Sequence, residues 1–185
     1  LVCNLKKYKI IYADPPWSYN DKSMHRGGAE RHYNTMSFEE ICNLPVQKIS
    51  ADNSVLFIWA TFPQIDKALE VINSWGFIYK TCAFNWIKTN KVNKNTLFWG
   101  MGWHTRANSE VCLIGVKGKA LKRKAKNIHQ VVVAPVSKHS KKPDEVRKNI
   151  VKMYGYTYPR IELFAREKIR GWDVWGNEVK SSIKL

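Results

Sequence analysis

The chain has 185 residues, 44% hydrophobic and 12% aromatic, enough for one globular domain with a sizeable core and too few for two ordinary ones. That composition excludes a disordered or fibrous chain, and no apolar run reaches the roughly 18 residues that a membrane-spanning helix needs. Thirty-one basic residues against 15 acidic ones leave a formal charge of +16, which calls for a polyanionic partner.

Lys9–Ala13 reads as an apolar strand that stops abruptly at Asp14-Pro15-Pro16-Trp17. Proline has no backbone N–H and fixes φ, so the pair ends the strand and stiffens the turn. Asp14 then stands at a strand's carboxyl end, where open α/β sheets place their ligands. A carboxylate, proline carbonyls without an internal donor and a flat indole together suit a planar base carrying an exocyclic amine. The same four residues read equally well as a strand-ending turn with a buried tryptophan.

Residues 18–36 form a long polar loop, and Ser37 is the N-cap of a short helix with Glu39 and Glu40 in its first turn and Pro45 after its end. Ser54–Ala60 is a continuous apolar run, expected of a strand covered on both faces. Ile65, Ala68, Leu69, Ile72 and Trp75 fall on one face of a helix that Gly76 closes. Phe77–Lys88 is strand-like, and a second polar loop runs through about Arg106. Glu110–Val116 and Ile128–Val133 are further strands. Pro143 opens a helix with Val146, Ile150 and Met153 inward and Gly155 at its end. Arg160–Ala165 is the last clear strand.

Strands alternating with helices imply a single α/β domain over residues 1–185 with a mostly parallel sheet. The loops 18–36 and 89–108 are expected to be flexible without ligand. Both interleave aromatics with cations: Tyr19, His25, Arg26, Arg31, His32 and Tyr33 in the first, and Lys91, Lys94, Phe98, Trp99, Trp103, His104 and Arg106 in the second. Such a surface stacks bases and holds phosphates, unless the rings simply pack on the core. Residues 117–152 carry twelve basic residues and two acids, with Lys122, Arg123 and Lys124 in an unbroken run. Nucleic acid fits this stretch better than an anionic membrane, because no basic helix with large apolar anchors accompanies it.

Cys3, Cys42, Cys82 and Cys112 are scattered without a C-x-x-C pair and read as reduced thiols of a cytoplasmic protein. The five histidines show no metal-ligand spacing, so no metal is expected. There is no Walker-type phosphate loop, no nucleophile elbow and no G-x-G-x-x-G; Gly100-Met101-Gly102 is only a G-x-G lying in a loop.

With those residues in hand, the chain resembles the DPPW-type adenine N6-methyltransferases, the family of the catalytic subunit of the eukaryotic mRNA adenosine methyltransferase and its bacterial and phage relatives. Beyond Ala13–Trp17 the similarity includes Tyr33–Ser37, Leu56–Trp59, Trp86–Asn90, Cys112–Gly118, Ser140–Glu145, Arg160–Arg166 and Gly176-Asn177. The resemblance implies a Rossmann-like methyltransferase sheet in permuted order, with the catalytic strand first, and S-adenosylmethionine as methyl donor. It implies that Asp14 and Pro15, with Pro16 shaping the turn, handle the adenine amine, while Trp17 and Tyr33 stack on the ring. Asp14, Lys142, Glu162, Arg166, Asn177 and Glu178 are then the donor-binding residues. Lys142 is otherwise one more lysine of the basic stretch, and Glu162 with Arg166 could be a structural ion pair. Arg26, Arg31, Lys88, Trp103, His104, Arg106, Lys122, Arg123 and Lys124 are expected to contact nucleic acid. The compact chain resembles the bacterial and phage branch, so the expected substrate is DNA; the alternatives are RNA or a catalytically silent nucleic-acid-binding subunit. A second copy or a related subunit is the expected protein partner, and no membrane is expected. Glu178 replaces a glutamine of the eukaryotic enzymes, and Lys168, Ile169 and Arg170 stand where those enzymes carry a His-Asn pair.

Overall fold

The computed structural model describes residues 6–18, 36–102, 104–137 and 141–185. Seven strands form one sheet: β1 (Tyr8–Ala13), β2 (Ser50–Ala60), β3 (Ile78–Thr89), β4 (Ser109–Lys117), β5 (Val131–Pro135), β6 (Arg160–Leu163) and β7 (Asp173–Trp175). Their order is β5-β3-β4-β2-β1-β6-β7. β1 pairs in parallel with both β2 and β6, and β3/β5 and β6/β7 are also parallel. Only β4, inserted between β2 and β3, runs antiparallel to its neighbours.

Alternation along the apolar strands assigns the two faces. Ile11 and Ala13 of β1 with Leu56, Ile58 and Ala60 of β2 face one side, packed by α1 (Phe38–Asn43), α2 (Val46–Ile49) and α3 (Ile65–Ser74). Ile10 and Tyr12 with Val55, Phe57 and Trp59 face the other, packed by α4 (Asp144–Tyr154) through Val146, Ile150 and Tyr154. Helices on both faces explain why β2 reads as an unbroken apolar run rather than an alternating one. The chain leaves β1 for one side of the sheet, while β6 lies on the other. The carboxyl end of β1 is therefore a topological switch point, the place where such sheets bind ligands.

Local chemistry accounts for the element ends. Ser37 and Glu40 form a reciprocal capping box at α1, with Glu40 N–H to Ser37 Oγ at 3.1 Å and Ser37 N–H to the Glu40 carboxylate at 2.7 Å. Trp75, fully buried beyond α3, donates its indole N–H to the Ile41 carbonyl at 2.8 Å and so ties α3 to α1. Three boundaries differ from the sequence reading. β2 starts at Ser50, because Ser50 Oγ bonds back to the Val46 carbonyl at 2.7 Å and closes α2 directly into the strand. β5 begins at Val131 rather than Ile128. β7, three residues long, has too short an apolar pattern to read as a strand. Among the described residues no helix is long and apolar enough to cross a membrane.

Segment 18–36 lies outside the described residues except for its ends. Thr89 to Gly102 is the first part of the second loop. It folds back on β3, with Asn90 N–H to Thr96 O at 3.0 Å, Phe98 N–H to Lys88 O at 2.9 Å and an antiparallel bridge between Thr89 and Leu97. Asn93 makes the turn, its side-chain oxygen accepting the Asn95 N–H at 3.1 Å.

Candidate active site at the carboxyl end of the sheet

Period-two geometry places four charged residues together. Asp14 follows Ile10 and Tyr12 on the α4 face, Glu110 precedes Cys112 on that face, Lys88 follows Phe84 and Trp86, and Glu162 pairs in register with Tyr12. β4 is antiparallel to β2, so its first residues lie beside the last residues of β2, at the same end of the sheet as Asp14. Lys142, two residues before α4, reaches into this group over the Trp59 ring at 5.6 Å.

Lys142 Nζ lies 3.0 Å from Asp14 Oδ1 and 3.2 Å from Glu110 Oε2, and Lys88 Nζ lies 2.5 Å from Glu110 Oε1. The result is a chain of alternating charges: Asp14, Lys142, Glu110, Lys88. Burial pushes the Asp14 carboxyl above its usual range; the Lys142 ammonium pulls it partly back and Glu110 adds to the rise. Burial also acts to raise Glu110, but Lys142 and Lys88 outweigh it and hold that carboxyl below its usual range. Burial alone would lower Lys142, and its two carboxylate neighbours more than offset this, keeping it cationic.

Beside Asp14 opens a cavity of about 220 Å³ lined by Tyr12, Lys142, Arg147, Glu162, Phe164, Arg166 and Glu178, among others. Glu162 and Arg147 form an ion pair on its wall, with Nη2 donating to Oε1 at 3.1 Å and Nε lying 2.9 Å from Oε2. Burial raises the Glu162 carboxyl despite that guanidinium. Arg166 Nε lies 3.4 Å from Glu178 Oε1, so Glu162 and Arg166 take different partners. Phe164 lines the cavity with a backbone φ of 61°, a left-handed conformation that costs a non-glycine residue about 1–3 kcal/mol. Its ring meets Trp175 edge-on at 5.4 Å. Tyr12 accepts the Trp59 indole N–H at 2.6 Å, and burial keeps its hydroxyl neutral.

The Pro-Pro turn is pinned at both carbonyls: Pro15 O accepts the Trp17 N–H at 2.9 Å and Pro16 O accepts the Met36 N–H at 3.2 Å. Each carbonyl keeps a second lone pair. Trp17 is the residue to which the resemblance gives a stacking role. It is 6% exposed, belongs to the α1–α3 core face and donates its indole N–H to Trp59 O at 3.1 Å. It wedges the turn in place rather than offering an open ring.

Lys88, expected at a nucleic-acid surface, has a side chain only 16% exposed and is committed to Glu110. Asn177 is exposed and is not among the residues lining the cavity, whereas its neighbour Glu178 is. His104, Arg106, Lys122, Arg123 and Lys124 are exposed. Tyr33, Arg26, Arg31 and Trp103 lie outside the described residues. Sequence reading missed Glu110, Arg147 and Phe164. Strand parity carried one residue upstream of the apolar run Val111–Leu113 would have placed Glu110 on the face of Cys112, where it lies opposite Trp86. Nothing in the sequence marks Phe164 as left-handed.

The basic stretch also divides. Lys141 pairs with Glu167 at 2.9 Å, Lys142 with Asp14 and Glu110, and Arg147 with Glu162, all at the amino end of α4. Lys122, Arg123 and Lys124 lie at its other end, where Lys124 N–H bonds to Met153 O at 2.7 Å and its side chain runs along Gly155.

Residues 8–178 match the MT-A70 family. A type II methyltransferase, M.MunI, of a Mycoplasma species is 36% identical over 192 residues, covering 94% of this chain and 78% of its own length. The human N(6)-adenosine-methyltransferase catalytic subunit METTL3 is 30% identical over 179 residues, covering 95% of this chain but only 29% of its own length. A probable N(6)-adenosine-methyltransferase MT-A70-like protein of rice matches likewise, at 30% identity and 23% of its own length. The family match runs from the first residue of β1 to Glu178 at the cavity rim, so it takes in the partly buried Asp14, its charge chain and the cavity beside them, and the chain belongs to the MT-A70 family.

Proposed function

We propose that this chain is an S-adenosylmethionine-dependent methyltransferase acting on the N6 exocyclic amine of adenine in DNA. The observation that carries the reading is the partly buried Asp14 carboxylate, held by Lys142 at the switch point of the sheet and opening on the charged cavity. The cavity walls suit the donor: carboxylates and cations are both present, as the ammonium and carboxylate of a methionine moiety require, with the Phe164 ring for an apolar contact. Asp14 and Lys142 would hold the methionine end, and Arg166, Glu178 and Asn177 the ribose side. When bound, S-adenosylmethionine supplies an electrophilic methyl group on a sulfonium sulfur.

The adenine amine is a poor nucleophile because its lone pair is delocalised into the ring. Hydrogen bonds from the amine to the Asp14 carboxylate and to the second lone pair of Pro15 O localise that lone pair. They also stabilise the positive charge that grows on nitrogen as the N–C bond forms. The Trp17 wedge and the carbonyl pins of the Pro-Pro turn keep both acceptors aimed, so little reorganisation remains for the reaction itself. The adenine reaches Asp14 only when taken out of a duplex stack.

DNA is favoured because the Mycoplasma type II enzyme is matched over most of its length, whereas the N(6)-adenosine relatives are far longer. Transfer of tritium from labelled donor to matched DNA and RNA oligonucleotides tests the choice: incorporation into DNA is expected, and incorporation into RNA alone overturns it. A calorimetric titration that finds no donor binding would leave a silent nucleic-acid-binding subunit.

A further inference from the structure

The G-x-G of Gly100-Met101-Gly102 has no part in the site above, yet the structure gives it a strict geometric role. A Cβ on Gly100 would fall 1.8 Å from the Ala107 carbonyl oxygen, and one on Gly102 would fall 2.1 Å from the Thr105 oxygen. Both glycines are there so that the outgoing chain can lie directly against the returning one. This close-packed element is anchored at both ends to β3, by Phe98 N–H to Lys88 O at 2.9 Å and Lys88 N–H to Asn108 O at 2.8 Å. Lys88 is the outer end of the charge chain that leads to Asp14. What the element displays is Trp99, 71% exposed, with the Arg106 guanidinium 4.9 Å from its ring centroid. A large indole held out in water with a cation over one face, on an element tied to Lys88, is a surface suited to stacking.

We propose that Trp99, backed by Arg106, is a stacking platform for an unpaired base flanking the target adenine. This rests on the nucleic-acid reading of the site. Charge selects the occupant: residues 89–108 contain Lys91, Lys94 and Arg106 and no acid, so the surroundings favour a polyanionic strand over an ordinary protein face. The guanidinium over one face of the indole leaves the other for the base, while the backbone pairing of the loop lowers the entropy cost of positioning the ring.

The test is fluorescence anisotropy with a short fluorescein-labelled single-stranded oligodeoxynucleotide containing one adenine, and a series in which each base beside the adenine is replaced by an abasic residue. Trp99→Ala should weaken binding about tenfold, Trp99→Phe should restore most of it, and the dependence on salt should not change, since the indole neutralises no phosphate. One abasic position should abolish the difference between wild type and Trp99→Ala. Donor affinity by calorimetry should be equal in both. Unchanged oligonucleotide affinity in Trp99→Ala overturns the platform, and if that variant instead changes the oligomeric state the ring is a protein contact. Wild-type methyl transfer is scored separately: binding that depends on Trp99 without transfer to adenine keeps the platform and removes the enzymatic reading, whereas transfer with a silent Trp99→Ala does the reverse.

Discussion

Asp14→Asn preserves shape but halves the hydrogen-bond acceptors facing the amine and removes the negative charge. Transfer from labelled donor should fall below detection while anisotropy shows nearly unchanged affinity for nucleic acid. Glu110 acts through Lys142 and Asp14 rather than on a base. Its charge helps to raise the Asp14 carboxyl, so Glu110→Gln should move the acid limb of the rate profile to lower pH. The same change takes from Lys88 and Lys142 the carboxylate they share and leaves Lys142 with Asp14, in a largely buried site, a loss of about 3 kcal/mol measurable by urea denaturation. Glu110 is held below its ordinary value of 4.5, so its contribution to stability is present above that pH and lost as pH falls through its folded value. The variant should therefore show a flatter stability profile below about pH 4.5 than wild type. Asp14 and Lys142 were named from the resemblance, and the fold brings them together at 3.0 Å. The Lys88 pairing was not legible, because a lysine at the end of a strand looks solvent-bound until its partner, 22 residues away, is folded against it.

At the level of elements, legibility followed periodicity. The long apolar runs of β2 and β4 and the spaced apolar positions of α3 and α4 all became the elements they suggest, because burial decides those positions. The failures lie where local pattern is short. β7 has three residues, and the Thr89–Leu97 return is polar on its surface, held by backbone pairing and by the turn chemistry of Asn93 rather than by an apolar stripe. The α1 start was readable from its residues alone, and the capping box makes it testable. Ser37→Ala removes the acceptor for the Glu40 N–H and should cost about 1 kcal/mol in urea denaturation. Because Met36 pairs with the Pro16 carbonyl just before this cap, the variant should also lower transfer more than it lowers donor affinity.

Over the whole molecule, the charge surplus has two uses that composition alone merges. Lys141, Lys142 and Arg147 are neutralised by acids drawn from β1, β4, β6 and beyond, and belong to the site. Lys122, Arg123 and Lys124 remain on the surface. Replacing these three by glutamine should weaken binding evenly across sequences. It should also reduce the slope of log affinity against log salt by roughly 0.9 for each duplex phosphate that is no longer neutralised. The sequence could count these charges but not divide them, because the division depends on which acids the sheet brings to the amino end of α4.

That division turns α4 into a ruler. Its 11 residues rise about 1.5 Å each, which sets the exposed cluster roughly 16 Å from the lysine that grips Asp14. At roughly 3.4 Å per step, a strand needs about five nucleotides to touch both ends. Oligonucleotides below that footprint should show only the weaker salt dependence of the site's own surroundings, and longer ones should gain the additional slope abruptly rather than in proportion to their length.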